Sequence, residues 1–237
     1  EPMVPYLAFF AAGSFTLARG HADGRPWLVA VSKLVDPSSR APLMTLMKRT
    51  PAIVRWLEQE LGPYPFHSSG GLVTSLTPGF ALENQTRPTY PDWVDRTTVV
   101  HELAHQWFGD DVAVRHWADI WLNEGFATYL EVRYAETHGG NSADAWLRAN
   151  YDALPSGSSF WDLVISDPGA DHIFDGEVYD RGAMTLVALR NRIGDADFTT
   201  LLRTWAADHH RGNGSTAQFR SLAASVSGLD LDSFFTA

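Results

Sequence analysis

The segment that most restricts this chain is His101-Glu102-Leu103-Ala104-His105. On a helix of 3.6 residues per turn the two histidines stand one above the other, so both imidazoles can reach one metal ion. Glu102 lies one step round the helix. There its carboxylate is badly placed as a third ligand and well placed to hold a metal-bound water and take its proton. With nine His and nine Glu in 237 residues, this pattern arises by chance in roughly one chain in a hundred, so it needs a third ligand to carry weight. A catalytic zinc site has three protein ligands and an open position. Nineteen residues after His105 comes Glu124, in Trp121-Leu122-Asn123-Glu124-Gly125-Phe126-Ala127, inside a second helical stretch. Two helices crossing at the metal would complete a His, His, Glu set. Gly125 favours such a crossing, because glycine inside a helix costs about 1 kcal/mol relative to alanine and close approach of another backbone is a common reason to keep it. Glu131, two turns beyond Glu124 on the same face, is either an acceptor for a ligand imidazole N–H or a solvated surface charge.

Around this segment the periodicity changes. Residues 5–19 and 27–35 carry aromatic and β-branched side chains about a polar hinge at 21–25, which predicts a hairpin. A helix is expected at 42–61, broken or restarted at Pro51, then short extended segments at 71–76 and 80–83. From Trp93 the signals are helical, at 95–108, 119–138, 142–153, 181–193, 195–209 and 215–226, with Gly109, Gly139 and Gly194 at helix stops. Between 154 and 178 runs a long Gly/Ser/Asp/Pro-containing stretch with a short turn at 161–164. The expected fold class is α+β, with a β-rich lobe over about 1–92 and a mainly helical lobe over about 93–237.

Composition excludes several classes of function. Eighteen basic residues against 28 acidic ones give a net charge of −10, a field that repels phosphate and anionic lipid. Nucleic acid is therefore not an expected partner. The apolar, uncharged stretch at residues 6–18 is shorter than the roughly 20 residues of a spanning helix, and the uncharged 61–82 opens on the turn signals Gly62-Pro63-Tyr64-Pro65, so no membrane insertion is expected. The absence of cysteine removes disulfides, thiolate metal sites and a cysteine nucleophile without indicating a compartment, cytoplasmic or secreted. Sixteen of the basic residues are Arg and two are Lys (Lys33, Lys48), a usage associated with GC-rich bacterial genomes. Residue 1 is not Met, and the expectation is a catalytic core from a longer protein with flanking domains.

Taken together, His101-Glu102-x-x-His105, eighteen residues and then Glu124 in Trp-Leu-Asn-Glu-Gly-Phe-Ala resemble the zinc signature of the gluzincin metallopeptidases, and within them the M1 aminopeptidases of bacterial, actinobacterial-like type. Two further segments are similar to motifs of that family. Phe80-Ala81-Leu82-Glu83-Asn84 stands in place of its Gly-x-Met-Glu-Asn exopeptidase motif, and Val178-Tyr179-Asp180-Arg181-Gly182-Ala183 in place of its Tyr-x-Lys-Gly motif. The opening Pro5-Tyr6-Leu7-Ala8-Phe9 resembles the start of the family's catalytic domain. The resemblance implies a thermolysin-like zincin domain, one Zn2+ per chain held by His101, His105 and Glu124, and peptide substrates with a free N-terminus. It implies Glu102 as the base, Tyr179 as an oxyanion donor, and substrate binding by Ala81, Leu82, Glu83 and Asn84, with Glu83 taking the α-ammonium. Tyr179 is expected just before a helix beginning near Arg181. The sequence departs from the family at Phe80 for Gly, Leu82 for Met and Arg181 for Lys. Phe80 puts the shape of the first specificity pocket in question. Two other readings stand beside the aminopeptidase: a zinc endopeptidase or other zinc hydrolase on the same scaffold, and an inactive peptide-binding domain. The first would have no use for Glu83, and the second would be expected to lose Glu102, a ligand or Tyr179.

Overall fold

The computed structural model describes residues 2–76 and 78–236, and two compact units divide it at Glu1–Asp111 and Val112–Ala237. Helices and strands mix as an α+β fold. The division falls later than the change of periodicity near 92, because the helix carrying His101 packs on a helix of the first unit.

In the first unit, β1 (Phe15–Ala22) and β2 (Arg25–Ser32) form an antiparallel hairpin. Its tip, Asp23-Gly24, has positive φ at both residues, the conformation whose twist matches paired strands. β3 (Ser69–Val73) and β4 (Thr89–Tyr90) add in parallel, giving the order β1-β2-β3-β4. Glycine at 70 is a requirement, since a Cβ there would collide with the Leu28 carbonyl oxygen. Between β2 and β3 run α1 (Pro37–Met47) and α2 (Thr50–Leu61). The helix expected at 42–61, broken or restarted at Pro51, is thus two, and the first of them begins earlier, at Pro37. Pro51 opens the second within its first turn, where a missing N–H costs nothing. Ile53, Val54, Leu57 and Leu61 form the buried stripe of α2, and with Met47, Val29, Val31 and Val73 they make the core. The segment at 80–83 is not a strand. It meets β4 through one isolated bridge, Leu82 with Thr89, since only that pair exchanges both backbone hydrogen bonds. α3 (Arg96–Ala104) closes the unit, its N-terminus capped by the Asp95 side chain, which accepts from Thr98 N at 2.9 Å.

The second unit is mainly helical. β5 (Val112–Val114) and β6 (Gly212–Gly214) pair in parallel. The helices are α4 (Trp121–Thr137), α5 (Ala143–Ala153), α6 (Gly176–Ile193), α7 (Asp195–Asp208), α8 (Thr216–Ser227) and the short α9 (Asp232–Phe235). α4 is central. All ten residues from Trp121 to Leu130 are buried, which explains why no single face of it stands out in the sequence. α6 lies along it. Edge-on contacts among Trp121, Phe126, Trp205 and Phe219 join α4, α7 and α8. Glu136 of α4 accepts from Ala143 N at the start of α5 and from Arg133 and Arg190. Burial opposes its charge, but these donors outweigh it and hold the carboxyl at a pKa of about 2.

Candidate active site

The first unit builds two features of the site. On α3, Val99, Val100, Leu103 and Ala104 are wholly buried and fix the helix rotation. His101 and His105 then lie on one face, edge to face, with ring centroids 4.8 Å apart. The backbone bond from His105 N to His101 O keeps the helical register although α3 formally ends at Ala104. Beyond it the chain tightens through bonds from Gln106 N to Leu103 O and Trp107 N to Ala104 O, the shorter spacing common at helix ends. His105 Nδ1 lies 2.9 Å from the Phe108 carbonyl oxygen. A carbonyl only accepts, so Nδ1 carries the proton and Nε2 presents its lone pair.

Glu102 is buried at 5% exposure in an acidic, low-dielectric neighbourhood. Burial first, and the Glu102 charge second, push the Tyr90 phenol well above its usual range. Burial, then Glu83, Glu102 and Asp111, push the Asp110 carboxyl well up. Asp110 therefore keeps its proton at pH values where ordinary carboxyls have lost theirs, which limits the negative charge packed about Glu102.

The second feature is the Glu83 segment. Glu83 is buried, not a surface strand charge. Its carboxylate accepts from Tyr6 OH at 3.1 Å and its backbone carbonyl from Gln106 Nε2 at 3.1 Å. The Asn84 side-chain amide donates to Leu7 O at 2.9 Å. Ala81 and Leu82 are half-buried, and Phe80 is 61% exposed, so the large side chain at the departing position points away from the core. Gln106 is the residue that motif reading missed. Wholly buried, it also accepts from Thr86 N at 2.6 Å and so ties the Glu83 segment to the turn after His105. A buried amide immediately after a ligand histidine was the available signal, since buried polar groups are hydrogen-bonded.

The second unit supplies the remaining side chains. Glu124 occupies the first turn of α4 and is 5% exposed, where the helix N-terminus favours a carboxylate. Glu131 is half-buried on the same helix. Burial, followed by the charges of Glu131 and Glu177, raises the Asp180 carboxyl. α6 begins at Gly176, earlier than the sequence suggested, so Tyr179 lies inside its first turn and does not precede it. Gly125 also differs from expectation. The backbone it admits is that of α6, because a Cβ on Gly125 would stand 2.8 Å from Gly182 Cα. The helices carrying Glu124 and Tyr179 thereby touch backbone to backbone. Arg181, standing where the family has Lys, donates to the carbonyls of Trp161 and Leu163 at 3.0 and 2.7 Å and pins the long 154–175 stretch to α6.

Of the other histidines, His138 and His209 bond to backbone carbonyls near the C-terminal ends of α4 and α7, and His172 pairs with Asp175. Trp107 and Trp121 are core, whereas Trp117 is half-exposed. Among the described residues no helix is long and apolar enough to cross a membrane.

The model of the peptidase family M1 domain matches residues 69–237. Aminopeptidase N of Lactobacillus helveticus is 29% identical over 97% of this chain and 30% of its own length. That of Lactobacillus delbrueckii subsp. lactis is 33% identical over 89% and 28%. The M1 zinc metallopeptidase from Deinococcus radiodurans superposes with a TM-score of 0.81 at 28% identity, covering 94% of this chain and 51% of that one. A variant of it has been solved with a Tyr-Ser-Ala substrate. The chain thus spans less than a third of these curated relatives and about half of the solved neighbour.

Proposed function

Because this chain belongs to peptidase family M1, we propose that it is the catalytic domain of a zinc aminopeptidase. The observation that carries the reading is the α3 face itself, with His101 and His105 side by side, ring centroids 4.8 Å apart, and the buried Glu102 between them in sequence. Two imidazoles and the Glu124 carboxylate are a borderline nitrogen and oxygen donor set of the kind zinc takes.

When bound, the zinc supplies Lewis acidity, polarising the scissile carbonyl and lowering the pKa of a water to about 7. The chain's own residues do the rest. Glu102 takes the proton from the attacking water and returns it to the leaving amine. Tyr179, in the first turn of α6, donates its hydroxyl hydrogen to the oxyanion that develops on the carbonyl. Glu83 accepts hydrogen bonds from the substrate's free α-ammonium, with Ala81, Leu82 and Asn84 shaping the segment around it. Glu131 acts behind the ligands as an acceptor for an imidazole N–H. Substrates are peptides with a free N-terminus. Flanking domains in the parent protein belong to the same proposal, on the ratio of lengths alone.

The test is turnover of free and N-acetylated aminoacyl amides by the protein and by Glu102→Gln, with zinc content measured on both. Zinc at one per chain, turnover of the free amide alone, and loss of turnover in the variant are expected. A wild-type protein that holds no zinc sinks the reading, and equal turnover of both amides sinks its aminopeptidase part.

A further inference from the structure

We infer that Tyr6 is a positioning residue for the amine-binding carboxylate of Glu83, an inference that rests on the aminopeptidase reading above. Tyr6 lies outside the residues matched by the family model, which begin at 69. Its hydroxyl nevertheless donates to Glu83 Oε1 at 3.1 Å across 77 positions of sequence.

The backbone on both sides of this bond is held independently of it. Pro5–Leu7 forms a 3-10 turn closed by the bonds from Leu7 N to Val4 O and Ala8 N to Pro5 O. Leu7 is 1% exposed and anchors that turn in the core. Its carbonyl accepts from the Asn84 amide at 2.9 Å, so the turn and the Glu83 segment are fastened directly beside Tyr6. On the other side Leu82 exchanges both its backbone bonds with Thr89, and Glu83's own carbonyl accepts from Gln106 Nε2. Main-chain bonds on both flanks thus fix where the Glu83 side chain starts. They do not fix where its carboxylate ends, because two carbons and three rotatable torsions intervene. The Tyr6 hydroxyl restrains that end. It occupies one carboxylate oxygen and leaves Oε2 to accept from a substrate ammonium, in a geometry set before substrate arrives. Tyr6 is itself 41% exposed and contributes little to the core.

The probes are leucine hydroxamate, which has a free α-amine, and acetohydroxamate, which has the same metal-binding head and no amine. Their affinities would be measured by calorimetry on zinc-loaded wild type, Tyr6→Phe, Glu83→Gln and the double variant. Phenylalanine keeps the ring and removes only the hydroxyl. The expected result is about a threefold to tenfold weaker leucine hydroxamate in Tyr6→Phe, with acetohydroxamate unchanged. The effect should disappear in the Glu83→Gln background. On a free aminoacyl amide the same variant should raise KM with kcat near wild type. If Tyr6→Phe binds both probes as wild type does, weakens both alike, or still weakens the amine probe when Glu83 is Gln, the inference is overturned and the reading of Glu83 stands. If Glu83→Gln itself leaves the preference for the amine probe unchanged, the reading of Glu83 falls and this inference with it.

Discussion

Replacing Gly182 by alanine tests the idea that the contact between α4 and α6 sets the placement of Glu124 and Tyr179. The new Cβ would stand 2.8 Å from Gly125 Cα, 3.5 Å from Gly125 N and 3.7 Å from a ring carbon of Trp121. Carbon atoms rest at about 3.5–4.0 Å, so the first contact is short by roughly 1 Å. The opposing atom is backbone, and no rotamer change removes it. The helices must separate or slide by a comparable amount. Overpacking of this kind costs about 1–3 kcal/mol, against which alanine contributes about 1 kcal/mol of helix propensity. A net loss of up to about 2 kcal/mol corresponds to a fall in Tm of up to roughly 8 °C for a chain of this size. The consequence for activity should be larger. Glu124 adjoins Gly125, and Tyr179 is one turn before Gly182, so a shift of about 1 Å reaches both, a displacement that can cost about a hundredfold in rate. The assays are thermal melting and steady-state kinetics on a free aminoacyl amide, with kcat expected to fall much more than KM changes. Gly176→Ala on the same helix is the control, since nothing lies within 4 Å of its would-be Cβ, and it should melt and turn over like wild type. A Gly182→Ala protein with wild-type Tm and kcat would refute the reasoning.

Glu102→Gln should lower kcat by about 10²–10⁴ while zinc content stays at one per chain, because in the proposed mechanism the residue serves the water and not the metal; metal analysis beside kinetics checks both. Zinc binding to the proposed ligands His101, His105 and Glu124 should stabilise the folded chain by mass action, so Tm should be lower in chelator than with added zinc, and identical melts would contradict the ligand assignment. Glu136 has a folded pKa of about 2 against an ordinary 4.5. Because the folded value is the lower one, its stabilisation is present in full above about 4.5 and is lost as pH falls toward 2. Glu136→Gln should therefore melt below wild type at pH 7, with the gap closing between pH 4.5 and 2; a gap that stays constant with pH would show that the Arg133 and Arg190 contacts do not act through charge.

The residues of the candidate site were legible where local rules place them. Four-residue spacing puts His101 and His105 on one helix face, Asp95 marks where that helix begins, and glycines at 139 and 194 mark where others stop. Each is a property of a few consecutive residues. The start of α6 was misplaced because Asp175 stands at its N-cap without a side-chain bond to the helix and pairs with His172 instead, so the usual start signal is muted. The 80–83 segment reads as a strand by composition, yet only Leu82 finds a backbone partner.

Sequence alone determined the mixed fold class and the absence of thiols, and it supplied the proposed metal ligands and the base beside them, all of which follow from residue identity and helical or strand period. Tertiary structure decided which distant segments meet. Gly125 has Gly182 opposite it, Glu83 is held by Tyr6, and Gln106 joins the Glu83 backbone to the turn after His105. The physical reason is that these contacts depend on how secondary elements pack, and a period of 2 or 3.6 residues specifies a face without specifying the neighbour that covers it.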